Sequence, residues 1–165
     1  MFKRILVPLD GSRTSAQALP YAVEIAKRFG AELMLVHVVE AATASSGGRA
    51  PAGVGTSSAV TEIAAEAAQA QDKRNMARAK RYLGDKLRSA VERGVKGSVH
   101  VMTGTPARSI VEFCKKEKVD LVVLTTSGKS GIKRAIWGSV ADQLIRDPSV
   151  PELVIRPGAK RSPQK

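Results

Sequence analysis

Gly128, Gly138 and Ser139 are the residues whose types and spacing most directly suggest chemistry. They flank a basic loop carrying Lys129, Lys133 and Arg134, which follows the apolar run Leu121–Leu124. Glycines leave backbone N–H groups accessible, and Gly138-Ser139 opens an amphipathic segment with helical spacing. Unpaired N–H groups and a helix dipole then point at one place, which is the chemistry of anion binding. Read without its surroundings, Gly138-Ser139 is also an ordinary helix start. Lys129, Lys133 and Arg134 are read as solvent-facing, biasing the loop positive.

The elements that must position this loop follow from hydrophobic periodicity. Ile5–Leu9 and Glu32–Val39 read as strands, with a helical pattern between them at Leu19, Ala22, Val23 and Ala26. Thr14 to Gln17 fits a capping box, Gly30 a helix stop, and Pro20 a kink or a delayed start. Strand, helix, strand within about forty residues is a βαβ unit and implies a parallel sheet. Residues 41–60, rich in Ala, Ser, Gly and Thr around Pro51, are expected to form a mobile loop insert. A long helix is expected from about Glu62 to Arg93, with Met76, Ala79, Leu83, Leu87 and Val91 as its buried stripe.

Ser98–Met102 reads as a third strand, and Thr105-Pro106 starts a helix with Ala107, Ile110, Val111 and Cys114 on its core face. Cys114 is therefore expected to be a small buried hydrophobe rather than a nucleophile. Leu121–Leu124 is a fourth strand, Val140, Leu144 and Ile145 mark a fourth helix, and Leu153–Ile155 is a fifth strand. Pro151 before it suits a sheet edge. The fold class expected is α/β: one domain over residues 1–157, an open five-stranded parallel sheet with helices on both faces, and a basic tail at 158–165.

Bulk composition bounds the function. With 43% hydrophobic and 25% charged residues, the 165-residue chain is ordinary for a globular domain. No apolar run approaches the roughly 20 residues of a membrane helix, so no membrane role is expected. One cysteine excludes an internal disulfide, and with no hydrophobic signal core a cytoplasmic location is expected. The net charge of +12 raises the case for polyanionic partners. Yet the basic residues are spread along the chain and only 4% of residues are aromatic, which leaves little stacking surface for nucleic acid.

The common phosphate motifs fail. Gly128-Lys129-Ser130 mimics the end of a P-loop, but the position five residues before Gly128 is Val123, inside a strand. No GxGxxG follows either early strand, and Ser46-Gly47-Gly48 falls in the insert. His37 and His100 match no metal-ligand spacing, so no protein-held metal is expected. In an open parallel sheet, ligands bind beyond the carboxyl ends of the strands where the strand order reverses. The first strand delivers Pro8, Leu9, Asp10, Gly11 and Ser12 there, the second His37 to Val39, the third Gly104-Thr105, and the fourth Thr125 to Gly128.

The segments ILVPLDGS, LVHVV, TGTP, PELVIRP and Gly128-x9-Gly138-Ser139 together resemble the universal stress protein family, in order and spacing, over nearly the whole chain. That resemblance implies a five-stranded parallel sheet of Rossmann-like, adenine nucleotide alpha hydrolase-like type, usually dimeric, in which some members bind ATP and others do not. For this chain it implies a dimeric regulatory protein of the stress response rather than a dedicated enzyme, with no catalytic residue. Pro8 and Leu9 would lead into the site, while Asp10 and the Val38 backbone would face adenine and ribose. Leu124 and Thr125 would line the same cleft. Gly128, Gly138, Ser139 and Val140 would cradle the phosphates, with Mg²⁺ held mainly by the ligand. Dimerisation would run through Leu153–Ile155.

Thr125 stands where the ATP-binding pattern has its first glycine. Were that position to demand a positive φ, strain of about 1–3 kcal/mol would weaken ATP by roughly one to two decades. In ordinary extended backbone the loss would be small. Asp10 has a second reading as a cap on the first helix or as the partner of a neighbouring cation. Two other functions stay open: a nucleotide-independent interaction module of the same fold, and nucleic-acid binding driven by charge.

Overall fold

The computed structural model describes residues 1–40, 58–126, 139–146 and 150–157. Strand β1 (Arg4–Pro8) leads through a 3-10 turn at Ser15–Ala18 into helix α1 (Leu19–Phe29) and strand β2 (Glu32–Val39). Helix α2 (Ser58–Val91) precedes β3 (Gly97–Thr103), followed by α3 (Pro106–Lys116), β4 (Leu121–Thr125), α4 (Ser139–Arg146) and β5 (Glu152–Ile155). The strands form one sheet in the order β3-β2-β1-β4-β5, every pair parallel. The five-stranded α/β sheet is thus as expected from the sequence.

Both faces of the sheet are covered, which is why its central strands are apolar throughout instead of alternating. Ile5 and Val7 of β1, Leu33 and Leu35 of β2 and Val123 of β4 face one layer with Ala22, Val23 and Ala26 of α1 and Leu83 and Ala90 of α2. Leu6, Met34, Val36, Val122 and Leu124 face the other with Ile110, Phe113 and Cys114 of α3 and Ala141 and Leu144 of α4. Cys114 is buried, as its helical spacing predicted.

Several local expectations need correction. Thr14 makes no side-chain cap and precedes a 3-10 turn rather than an α-helix. Pro20 falls in the first turn of α1, where its missing N–H costs nothing, so it delays the helix instead of kinking it. Residues 58–60, assigned to the insert, begin α2, and α2 ends at Val91. Its contact face runs through Ala79, Leu83, Leu87 and Ala90, while Met76 and Val91 are exposed. Ala90 replaces Val91 because it lies closer to the Leu83 row, whereas Met76 lies on that row but is exposed on the amino-terminal side of the contact face. Phe113 is buried where Val111 is only half-buried, and Ile145 of α4 faces solvent. The basic loop carrying Lys129, Lys133 and Arg134 lies outside the described residues, as do all of 41–57 and 158–165.

β1 and β4 are tied at their amino ends by Asp120. Its carboxylate accepts from the backbone N–H groups of Lys3 at 2.7 Å and Arg4 at 2.8 Å, while its own N–H donates to the Arg4 carbonyl at 2.9 Å. The two N–H bonds, chiefly that of Lys3, hold its carboxyl below the usual carboxylate range. A depressed folded-state pKa gives stability that is complete above the unfolded value, near 3.9, and is lost as pH falls through the folded value. Asp120→Ala should therefore cost about 1 kcal/mol at neutral pH, a small figure because the freed N–H groups can meet water. Urea titrations should show the difference vanishing in strong acid. A constant difference down to pH 2 would contradict this origin.

Candidate functional site

The strand order reverses between β1 and β4, so the carboxyl ends of those two strands flank the crossing. Pro8 ends β1 opposite Val36, and Leu9 extends the pairing by donating its N–H to the Val36 carbonyl at 2.8 Å. Buried Leu9 anchors the chain there, so Asp10 emerges at a fixed point on the rim. An Oδ1 of Asp10 accepts the Ser12 N–H at 2.8 Å, closing a turn over Gly11, whose φ of 84° suits glycine. The Asp10 N–H donates to Ser15 Oγ at 3.3 Å, and Ser15 Oγ also bonds the Ser12 carbonyl at 3.1 Å. Asp10 therefore caps its own turn and not the helix.

Burial in this loop pushes the Asp10 carboxyl up, but hydrogen bonds from Ser15 and Ser12 outweigh it and leave the group below the usual carboxylate range. Asp10 is consequently a charged acceptor at neutral pH, held in place before any ligand arrives.

Thr125 is the last residue of β4, paired with Ile155 of β5. Lys118 is the non-glycine residue with a positive φ among the described residues, so Thr125 keeps ordinary strand backbone. A β-branched side chain suits that conformation, and the strain foreseen for a missing glycine does not arise. Its Oγ1 donates to the Thr14 carbonyl at 3.2 Å, joining the end of β4 to the loop after β1.

The remaining site residues divide by face. Leu124 is buried in the layer beneath α3 and α4, and Val38 and Val140 pack half-buried against that layer. They form an apolar shoulder beside the crossing. Ser139 opens α4, while Gly128 and Gly138, with the basic loop, lie outside the described residues. Asp10, Val38 and Thr125 thus come from the strand ends that the sequence placed at the crossing.

On the opposite face a cleft of about 380 Å³ opens between Asp10 and Gly11, the end of β2, and helix α2. His37, Val39 and Glu40 line its strand side; Asn75, Arg78, Ala79 and Tyr82 line its helix side. The His37 ring sits against the sheet with Nδ1 2.6 Å from the Leu9 carbonyl, which makes Nδ1 the protonated nitrogen and Nε2 the acceptor. Sequence reasoning missed Tyr82 and Asn75 entirely. The available signal was the alternation of β2, which puts His37 on the face of Leu35 and Val39 and hence opposite α2. Among the described residues no group of three His, Cys, Asp or Glu could hold a metal, and no helix is long and apolar enough to cross a membrane.

An open parallel sheet covered on both faces, with its strand order reversing between β1 and β4, defines a Rossmann-like α/β domain. A sequence model of the universal stress protein family matches residues 1–156, and the chain belongs to that family. A universal stress protein of Methanocaldococcus jannaschii is 35% identical over 94% of this chain and 83% of its own length. Universal stress protein YxiE of Bacillus subtilis is 33% identical over 94% of this chain and 100% of its own. Among solved structures, UspA from Lactobacillus plantarum superposes with a TM-score of 0.70 at 24% identity, covering 94% of this chain and 98% of that one. Two further neighbours at 20% identity, covering 93% of this chain and 97% of theirs, were solved with adenine nucleotides. One is a universal stress protein in complex with cAMP, TM-score 0.65, and one is from Archaeoglobus fulgidus in complex with dAMP, TM-score 0.58.

Proposed function

We propose that this chain is an adenine-nucleotide-binding regulator of the stress response, with ATP as its ligand at the β1–β4 crossing. The observation that carries this reading is a charged Asp10 held in its turn by Ser12 on the rim, with ordinary strand backbone at Thr125, whose side chain is tied to the same loop. The structures of relatives holding cAMP and dAMP support an adenine nucleoside as the recognised part. Asp10 and the Val38 backbone meet adenine and ribose; Gly128, Gly138, Ser139 and Val140 take the phosphates. Mg²⁺ travels with those phosphates and is coordinated mainly by them. Binding orders the loops at the crossing and alters what the protein presents to partners, so turnover is no part of the role. Isothermal calorimetry of purified protein with ATP and Mg²⁺ tests it: saturable one-site binding is expected, and absence of binding to any adenine nucleotide would sink the reading.

The protein is further proposed to act as a homodimer. β5 pairs with β4 on one side only, so its outer backbone groups can pair with those of a second copy through Leu153–Ile155. Light scattering at micromolar concentration should give twice the monomer mass of 17.5 kDa. A monomeric mass would refute this.

A further inference from the structure

Tyr82 presents a problem that the fold leaves unsolved. Its hydroxyl is shielded from solvent and approaches Ser15 Oγ without good hydrogen-bond geometry, and that oxygen is already engaged by the Asp10 N–H and the Ser12 carbonyl. A buried donor without an acceptor is costly, and native proteins keep such groups where something else completes them. Here the group sits at the wall of the cleft between α2, Asp10 and the end of β2.

We propose that Tyr82 is a specificity-determining residue of the nucleotide site, its hydroxyl donating to an acceptor atom on the nucleoside part of the ligand as that part enters the α2 cleft. This rests on the nucleotide reading above and adds a wall to it from α2, an element that the family-like motifs do not touch.

Charge decides which part of the ligand enters. Asp10 and Glu40 both line the cleft, so a phosphate would face two carboxylates there. Asp10, Glu40 and Arg78 are all exposed at the rim and screened alike by water, so two carboxylates against one guanidinium leave the cleft net negative. A neutral base or sugar avoids that repulsion, and Val39 and Ala79 offer it apolar surface. The volume of about 380 Å³ lies within the range of small-ligand cavities. Burial, and then the negative charge of Asp10, push the Tyr82 phenol up, so it remains a donor through the neutral range. His37 Nε2 and Asn75 border the same space and add an acceptor and an amide.

The test compares Tyr82→Phe with the wild-type protein. In calorimetry, ATP, AMP and adenosine should each bind about five- to tenfold more weakly to Tyr82→Phe, because the lost bond lies on the nucleoside they share. Inorganic tripolyphosphate, which lacks a nucleoside, should bind both proteins alike. The melting temperature of the free variant should equal or exceed that of wild type, since the substitution removes an unsatisfied hydroxyl. Unchanged affinity for all three adenine ligands would overturn this proposal and leave the nucleotide reading standing. A clear fall in melting temperature would also overturn it, by showing that the hydroxyl is satisfied within the fold. Absence of adenine-nucleotide binding to wild type itself would overturn both.

Discussion

Replacing Gly97 with valine should destabilise the protein by about 3 kcal/mol or more, the largest loss expected from a single change at a glycine among the described residues. Gly97 opens β3 opposite Leu33 of β2. A Cβ placed on it would drive into the Leu33 carbonyl oxygen well inside contact distance and meet Leu87 Cδ1 at 2.6 Å. Leu87 can rotate away, but the Leu33 backbone cannot. Its N–H is bonded to the Lys96 carbonyl at 2.9 Å, and its side chain is fully buried between β1 and the helical layer. Relief would require β3 to pull away from β2 or α2 to lift from the sheet. Gly84, in the middle of α2, is the counterexample: a Cβ there meets nothing within 4 Å. Gly84→Ala should stabilise by up to about 1 kcal/mol, through helix propensity alone. Urea denaturation of both variants measures the pair of opposite signs. A Gly97→Val protein as stable as wild type would mean that the β2–β3 packing is looser than this geometry.

Much of the architecture was legible in the sequence because parallel strands buried on both faces must be apolar throughout. Glu32–Val39 is such a run, and β2 has those bounds. The βαβ order and the tight helix stop at Gly30 were readable for the same kind of local reason: the residue types leave few conformational alternatives. What was not legible depends on which way a helix is turned about its axis. α2 is dense in alanine, so several faces have similar polarity, and its contact row falls on Ala90 rather than Val91. Short α4 shows the same ambiguity, with Ala141 buried and Ile145 exposed.

The site divides along the same line. Asp10 and Thr125 were found because strand ends can be located from hydrophobic runs, and loops that follow strands gather at one rim. The conformation of Thr125 could not be found that way. A threonine in place of a glycine is compatible with strain or with none, and backbone angles alone distinguish them. Tyr82 was invisible for a further reason. The polar groups nearest it, on Asp10 and Ser15, lie about seventy residues away in sequence, and nothing in the spacing of α2 points toward the loop after β1.

Asp10→Ala should weaken ATP by about ten- to a hundredfold in calorimetry, the range set by losing a hydrogen bond to a charged acceptor at about 1.5–3 kcal/mol. Two losses combine in that figure. The carboxylate no longer meets the ligand, and the turn it holds through the Ser12 N–H at 2.8 Å is released, so the loop must be ordered again on binding. Asp10→Asn separates them. An asparagine side chain keeps an amide oxygen for the Ser12 N–H and so preserves the turn, yet it gives up the negative charge. If the charge is what the ligand reads, the Asn variant should lose most of the affinity that the Ala variant loses. Should turn order dominate, it should lie close to wild type. The pH profile adds an independent check. Because Ser15 and Ser12 hold the Asp10 carboxyl below its usual range, it stays charged as pH falls from 8 to about 5. Its contribution to binding should be flat over that interval and disappear only in stronger acid. An affinity ratio between wild type and Asp10→Ala that shrinks steadily between pH 8 and pH 6 would show that another group carries the contact.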